Sequence, residues 1–359
     1  MAAEGSRRPL VLHFDINKTI IMCDPGKGVQ CDEMVNSFLS EACWGTWAQT
    51  SELPGDAEGR RALAATWTMQ RGPTPEAQPG LVTYADLLEV ILKLDKKELQ
   101  EMKNTFAQPG NLGEQAHGRY LDLQQKLRLP DGICLQHVPP AVGEGRFFII
   151  PAFFTLLLKL ESGGRDFRVV FRTFGTDTAD VIKEFNVFCT GTHPCFPDVP
   201  ESMSRFVLDP AMDTGKWMRD DDGIHLTLEG QPQQDGAEQC AAALNERLFG
   251  ASKRCSLALQ DFFPFWRKQG ESDDSGKPVF VEPLSETSPH VLFFDDNIER
   301  DRAHIVDARD ASTWAALPFS QTQNVHLIKA EPISAIEDVN YFVAAVAAAE
   351  AALARTSAA

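Results

Sequence analysis

Leu10-Val11-Leu12-His13-Phe14-Asp15 is a run of large and β-branched residues that stops at an aspartate, with Asn17-Lys18-Thr19 just beyond it. Beginning after Pro9, it reads as a buried strand of a parallel sheet. Asp15 then stands at the strand's C-terminal edge, where open α/β sheets bind ligands. A carboxylate there can act as a nucleophile toward phosphorus or carbon, because an aspartyl intermediate splits one hard step into two easier ones. Alone, the pattern is equally a turn whose side chains cap local backbone groups.

Two more apolar runs end at polar residues, one at a threonine and one at paired acids. Arg168-Val169-Val170-Phe171-Arg172-Thr173 leads into Phe174-Gly175-Thr176, and a helix-like stretch follows from Asp177 to Phe185 with Thr176 as its expected N-cap. His290-Val291-Leu292-Phe293-Phe294 closes on the paired acids Asp295 and Asp296, with Asn297 next and Asp301 five positions past Asp296. The three strands, in this order, predict an α/β fold with a parallel sheet.

These motifs resemble those of the haloacid dehalogenase superfamily, whose first motif is Asp-x-Asp-x-Thr/Val after a hydrophobic strand. The resemblance implies a three-layer Rossmann-like core. It also implies an aspartyl nucleophile at Asp15 and a magnesium ion held by Asp15, Asp296 and the main-chain carbonyl of Asn17. Asp295 is implied as a further ligand or a partner of one. Thr173 would hydrogen-bond the transferring phosphoryl group, and Thr19 and Gly175 would join it in binding substrate. The family also uses a lysine to neutralise nucleophile and phosphate. Lys277, in a Gly-Lys-Pro setting before a strand, is the first choice; Lys183 and Lys216 compete. The chain is similar in particular to a largely protist, eukaryotic branch with Phe-Asp-x-Asn-Lys-Thr and Phe-Phe-Asp-Asp-Asn-Ile motifs. That likeness extends to His304–Asp310 and supplies a fold and no substrate.

Asn17 departs from the family pattern. In the family's phosphatases an aspartate at this place protonates the leaving oxygen and then activates water; an amide can do neither, at a typical cost of ~10²–10⁴ in rate. His13 is expected on the opposite side of the strand, a poor replacement acid. Two functions follow. One is a magnesium-dependent hydrolase, a phosphatase or phosphotransferase, acting on a small phosphorylated substrate. The other is a catalytically weakened fold that binds a phospho-ligand or a protein.

The rest of the chain sets the frame. With 359 residues it can bury a large core and hold two domains. The net charge of −17 disfavours nucleic acid. Eight scattered cysteines without a CxxC pair suit reduced thiols and a cytoplasmic setting. Cys189, His193 and Cys195 lie close together but match no zinc spacing, and a Pro-rich loop is expected there. Neither the start of the chain nor the apolar stretch Phe147 to Leu160 reads as a membrane span; the latter predicts a buried helix. Oligomeric state is not indicated.

About 150 residues separate the first two motifs, too many for a plain loop. Residues 25–145 are expected to form a helical cap or insertion, and 1–24 with 146–359 the core. Within the insertion, helices are predicted over Asp32–Trp47, Ala62–Gln70, Tyr84–Phe106 and Gly113–Leu127. Farther on, strands are expected at Ser204–Asp209 and Gly223–Leu228. Helices are expected at Gly236–Phe249, Lys253–Gln269 and Ile333–Ala354. Phe262, Phe263, Phe265 and Trp266 are expected as a core aromatic cluster, and Glu271–Gly276 as a flexible polar loop.

Overall fold

The computed structural model describes residues 8–136, 142–143, 145–251, 253–282 and 288–358. Its centre is an eight-stranded sheet. In chain order its strands are β1 (Leu10–Asp15), β5 (Phe167–Thr173), β6 (Thr214–Asp220), β7 (Gly223–Leu228), β8 (Gln234–Asp235), β9 (Ser256–Gln260), β11 (His290–Asp295) and β13 (Leu327–Lys329). Across the sheet the order is β13-β11-β1-β5-β9-β6-β7-β8. The pairings from β13 to β6 are parallel, and β7 and β8 add an antiparallel edge. The numbering skips β2 (Trp44–Thr46), β3 (Thr68–Arg71) and β4 (Val82–Thr83), which form a small antiparallel sheet, and β10 (Lys277–Val281) and β12 (Val306–Asp310), a parallel pair.

β1, β5 and β11 are buried at every position, which is why they read as unbroken apolar runs. Alternation along β1 divides the core. Leu10, Leu12 and Phe14 face one apolar cluster, whereas Val11 faces the other. On the first side Phe14 stacks on Phe294 with ring centroids 4.6 Å apart and meets Phe153 and Phe342 edge-on. Burying such a ring is worth ~1.5–3 kcal/mol. The helix Pro151–Ser162 lies here; Pro151 at its first turn costs no hydrogen bond, and Phe153, Phe154, Leu156 and Leu157 are buried. The other side carries β10, β12 and the helix Ala237–Phe249.

The insertion opens and closes beside β1, where Ile21 bridges Ile149 and Ile150 N–H donates to Ile20 O. It holds the helices Cys31–Ala42, Ala57–Ala64, Lys96–Asn104 and His117–Lys126. Met34, Val35, Phe38, Trp67 and Leu87 belong to the same buried cluster as Phe14 and Ile20.

Several expectations are corrected. Within 32–47, 62–70 and 84–106 the predicted helices are shorter. The first two give way to β2 and β3, and the third breaks into Tyr84–Asp86, a π-turn at Leu87–Ile91 and Lys96–Asn104. Ser204–Asp209 is not a strand; a 3-10 helix covers Glu201–Phe206. Lys253–Gln269 is not one helix but β9 followed by the short helix Phe263–Lys268. Pairing of Ser256–Gln260 between β5 and β6 overrides the helix preference of Leu, Ala and Gln. The C-terminal helix is split into Pro332–Glu337 and Tyr341–Ala358. The 271–276 loop contains a 3-10 turn with Ser275 buried. Around Cys189 and Cys195, His193 is fully buried, with Nε2 3.5 Å from Glu184 Oε1, and its Nδ1 accepts the Cys195 N–H. Among the described residues no helix is long and apolar enough to cross a membrane.

Candidate functional site

From β1 the chain passes to β5 on one side and later to β11 on the other, so the C-terminal ends of β1 and β11 flank a topological switch point. Phe14 pairs in register with Phe294, and the next residues, Asp15 and Asp295, stand side by side. Lys277 reaches in from the first position of β10, so it begins its strand rather than preceding it. Its Nζ lies 2.5 Å from Asp15 Oδ1 and 2.7 Å from Asp295 Oδ2. All three residues are buried.

The turn after β1 is wound tightly on Ile16, whose carbonyl accepts from the N–H groups of Thr19, Ile20 and Ile21. Lys18 has φ of 65°, a left-handed conformation that costs a non-glycine residue ~1 kcal/mol. The turn folds Thr19 back toward β1. Its hydroxyl lies 3.4 Å from Asp15 Oδ2 as donor and accepts the Asp296 N–H at 3.2 Å. The bridge between Asn17 and Ile21 uses Ile16 O and Ile21 O, and so does not use the Asn17 carbonyl. Asp295 Oδ1 accepts the Asn297 N–H, Asn297 Nδ2 donates to Asp296 Oδ1, and Lys329 Nζ donates to the Asp296 carbonyl.

Asp15, Asp295 and Asp296 bring carboxylate oxygens within 4.8 Å of one another, a donor set able to hold a metal ion. Hard oxygen ligands suit magnesium or calcium. Burial opposes the Lys277 charge, but Asp15 and Asp295 outweigh it and hold the ammonium above the ordinary lysine range. Lys277 is therefore a cation serving more than one carboxylate. The remaining negative charge is felt by its neighbours. Burial pushes Asp15 well up against the pull of Lys277, with Asp295 and Asp296 adding to the rise. Burial likewise pushes Asp296 to about 6, opposed by Lys18 and reinforced by Asp295. A bound cation would reverse these rises.

Thr173 and Gly175 lie beside Asn17. Thr173 Oγ1 accepts the Gly175 N–H at 2.8 Å, leaving its O–H to donate. A Cβ on Gly175 would stand 2.6 Å from Asp177 Oδ2 and 3.3 Å from Asn17 Nδ2, so a larger residue would have to push the Asp177 carboxylate aside. Asn17 Nδ2 donates to Asp177 Oδ2 at 3.0 Å, whereas Asn17 Oδ1 is buried with no hydrogen-bond partner among the described residues. Burial, then Asp24, raises Asp177 to about 6.

Other expectations fare differently. Thr176 is not the N-cap. Asp177 precedes the helix Thr178–Cys189, and its carboxylate turns to Asn17 rather than capping. Lys183 is exposed and paired with Asp180, and Lys216 is exposed on β6. Asp301 is exposed and outside the carboxylate cluster. His13 is on the same side of β1 as Asp15, since residues two apart share a face. Its ring stacks on Phe293, whose centroid is 5.9 Å from Lys277 Nζ. Burial and Arg172 hold its pKa well below 6.5, so it remains a poor acid for a different reason. Of the aromatic cluster, Trp266 is buried and stacks on Phe174, itself 5.1 Å from Lys277 Nζ, but Phe263 is exposed. Sequence reasoning missed Asp177, Lys329 and the arginines Arg172 and Arg219. An arginine inside an apolar strand was the available signal for Arg172.

No family model, curated protein or solved structure matches this chain.

Proposed function

We propose that this chain is a magnesium-dependent hydrolase or phosphotransferase of the haloacid dehalogenase type, acting on a small phosphorylated substrate through an aspartyl intermediate at Asp15. The observation that carries the reading is the buried Asp15–Lys277 pair at the switch point, with Asp295 and Asp296 beside it. Burying such a cluster costs several kcal/mol per ion before its mutual attraction is counted. Anion-handling chemistry is a reason to retain it. The scattered cysteines, all free, fit a cytoplasmic protein.

Asp15 attacks phosphorus as a carboxylate, the bond to the leaving oxygen breaks, and an aspartyl phosphate remains. Thr19 keeps Asp15 oriented. Lys277 and the Thr173 hydroxyl stabilise charge on the equatorial oxygens. Held by Asp15, Asp296 and the Asn17 main-chain carbonyl, with Asp295 adjacent, magnesium would neutralise the carboxylates and let an anionic group approach. Asn17 has no proton to give the leaving oxygen, so esters with good leaving groups are favoured. Its amide can orient the water that then attacks phosphorus, releasing inorganic phosphate and restoring Asp15.

A second reading has its own support. The Asn17 amide is engaged by Asp177 and exchanges no proton, as expected of a weakened fold that binds a phospho-ligand or a protein. Turnover of 4-nitrophenyl phosphate with magnesium separates the two. The enzyme reading expects release of nitrophenol that Asp15→Asn abolishes. Phosphate binding without turnover, in the wild type and in Asn17→Asp, favours the binding module. Absence of both removes both readings.

A further inference from the structure

Lys277 reaches Asp15 and Asp295 from outside the central sheet. Among the described residues, β10 pairs with β12 alone, so no ladder of hydrogen bonds fixes Lys277 relative to β1. Two arginines of the central sheet supply the link. Arg219, on β6, donates from Nη1 to Gly276 O at 2.8 Å and from Nη2 to Asp274 O at 2.7 Å. Arg172, on β5, donates from Nη1 to Pro278 O at 3.0 Å. The carbonyls on both sides of Lys277 are thus held from the sheet.

Each arginine is itself fixed. Arg172, fully buried, makes a two-point contact with Asp261, at 3.0 and 2.6 Å, and lies over the rings of Trp217 and Phe293. Arg219 pairs with Asp307 of β12 at 2.9 Å. From the β12 side, Lys277 N–H donates to Ile305 O at 2.7 Å, and a Cβ on Gly276 would stand only 2.1 Å from that oxygen. Guanidinium groups suit this work, since their planar fork loses little freedom per bond formed.

We propose that Arg172 and Arg219 are positioning residues that clamp the backbone around Lys277 and so set its ammonium between Asp15 and Asp295. What the clamp is for rests on the reading of Lys277 as the phosphoryl-binding cation; that the clamp exists does not.

The test has two arms. The first needs no activity: acetic anhydride labelling of the full chain, followed by mass spectrometry of each lysine. Arg219→Lys keeps a positive charge but cannot span both carbonyls. It should raise Lys277 acetylation at least tenfold and leave Lys103, which pairs with Glu41 in the insertion, unchanged. Arg172→Met with Asp261→Asn removes the other contact without stranding a charge, and should do the same. An unchanged Lys277 rate, or a parallel rise at Lys103 that marks general loosening, overturns the clamp. The second arm measures inorganic phosphate affinity with magnesium in a double-mutant cycle. Arg219→Lys should weaken binding at least tenfold in the wild type and have no effect once Lys277→Ala is present. An equal loss in both backgrounds overturns action through Lys277. A wild type that binds no phosphate, with the labelling result intact, overturns the phosphoryl reading and leaves the clamp.

Discussion

Asn17 gives its side-chain N–H to Asp177 Oδ2 at 3.0 Å and leaves its own Oδ1 buried without a partner among the described residues. The amide that replaces an acid is thus tied to another acid, one that burial raises to about 6. Asn17→Asp would set two carboxyl groups within hydrogen-bond distance, where one retains its proton. Turnover of aryl phosphates should rise by up to ~10²–10⁴, more for poor leaving groups than for good ones. A plot of kcat against leaving-group pKa checks this; an unchanged slope counts against acid catalysis from position 17.

Lys277→Met removes the cation between Asp15 and Asp295. Breaking a buried pair in this way typically costs ~3–5 kcal/mol, and the remaining carboxylates should then favour a metal as counter-ion. Urea unfolding with and without magnesium should show the loss and its partial recovery. No loss would mean that the two bonds of Lys277 are not formed in solution.

Asp296→Ala should abolish magnesium binding seen by calorimetry, because it removes one of three clustered carboxylates. Asp301→Ala should leave binding within about twofold of wild type, since Asp301 is exposed and apart from the cluster. Equal losses would place the ion elsewhere.

Magnesium binding should also weaken in acid. Asp296 is raised to about 6 from an ordinary 3.8, so between those values the folded chain holds a proton that the unfolded chain has released. Without metal, this group's contribution to stability therefore falls as pH rises through that window. Metal must displace the proton, so affinity should drop up to about tenfold per unit below pH 6. The rise in Tm with magnesium should be largest above pH 7 and shrink below 6. A shift independent of pH would exclude Asp296 as a ligand.

Gly175→Ala places a methyl 2.6 Å from Asp177 Oδ2. Overpacking of this kind costs ~1–3 kcal/mol. Asp177→Ala in the same background should recover most of it, read as the midpoint of thermal unfolding.

The three strands that end at Asp15, Thr173 and Asp295 were legible because both their faces are buried, so composition alone marks them. Asp15, Asp295 and Asp296 could be named from where those runs end, and Lys277 only from the likeness of its Gly-Lys-Pro setting to that of a known family. β9 was not legible: four of its five residues, Leu257 to Gln260, are good helix formers, and only its neighbours β5 and β6 make it a strand. Arg219 was hidden differently. It alternates with exposed residues on β6 and looks like any solvated charge until Gly276 and Asp307 are brought to it. Asp177 was assigned to a helix start because sequence shows local partners, and its actual partner is 160 positions away.

The buried cluster that joins Phe14 and Ile20 to Met34, Phe38 and Trp67 is shared by the insertion and one side of the sheet. Amide hydrogens in Cys31–Ala42 should exchange as slowly as those of β1, through the same global opening. Residues 25–145 cut out alone would expose their side of a shared interior rather than a finished surface. Substitutions in that segment therefore act within an interior that β1 also depends on.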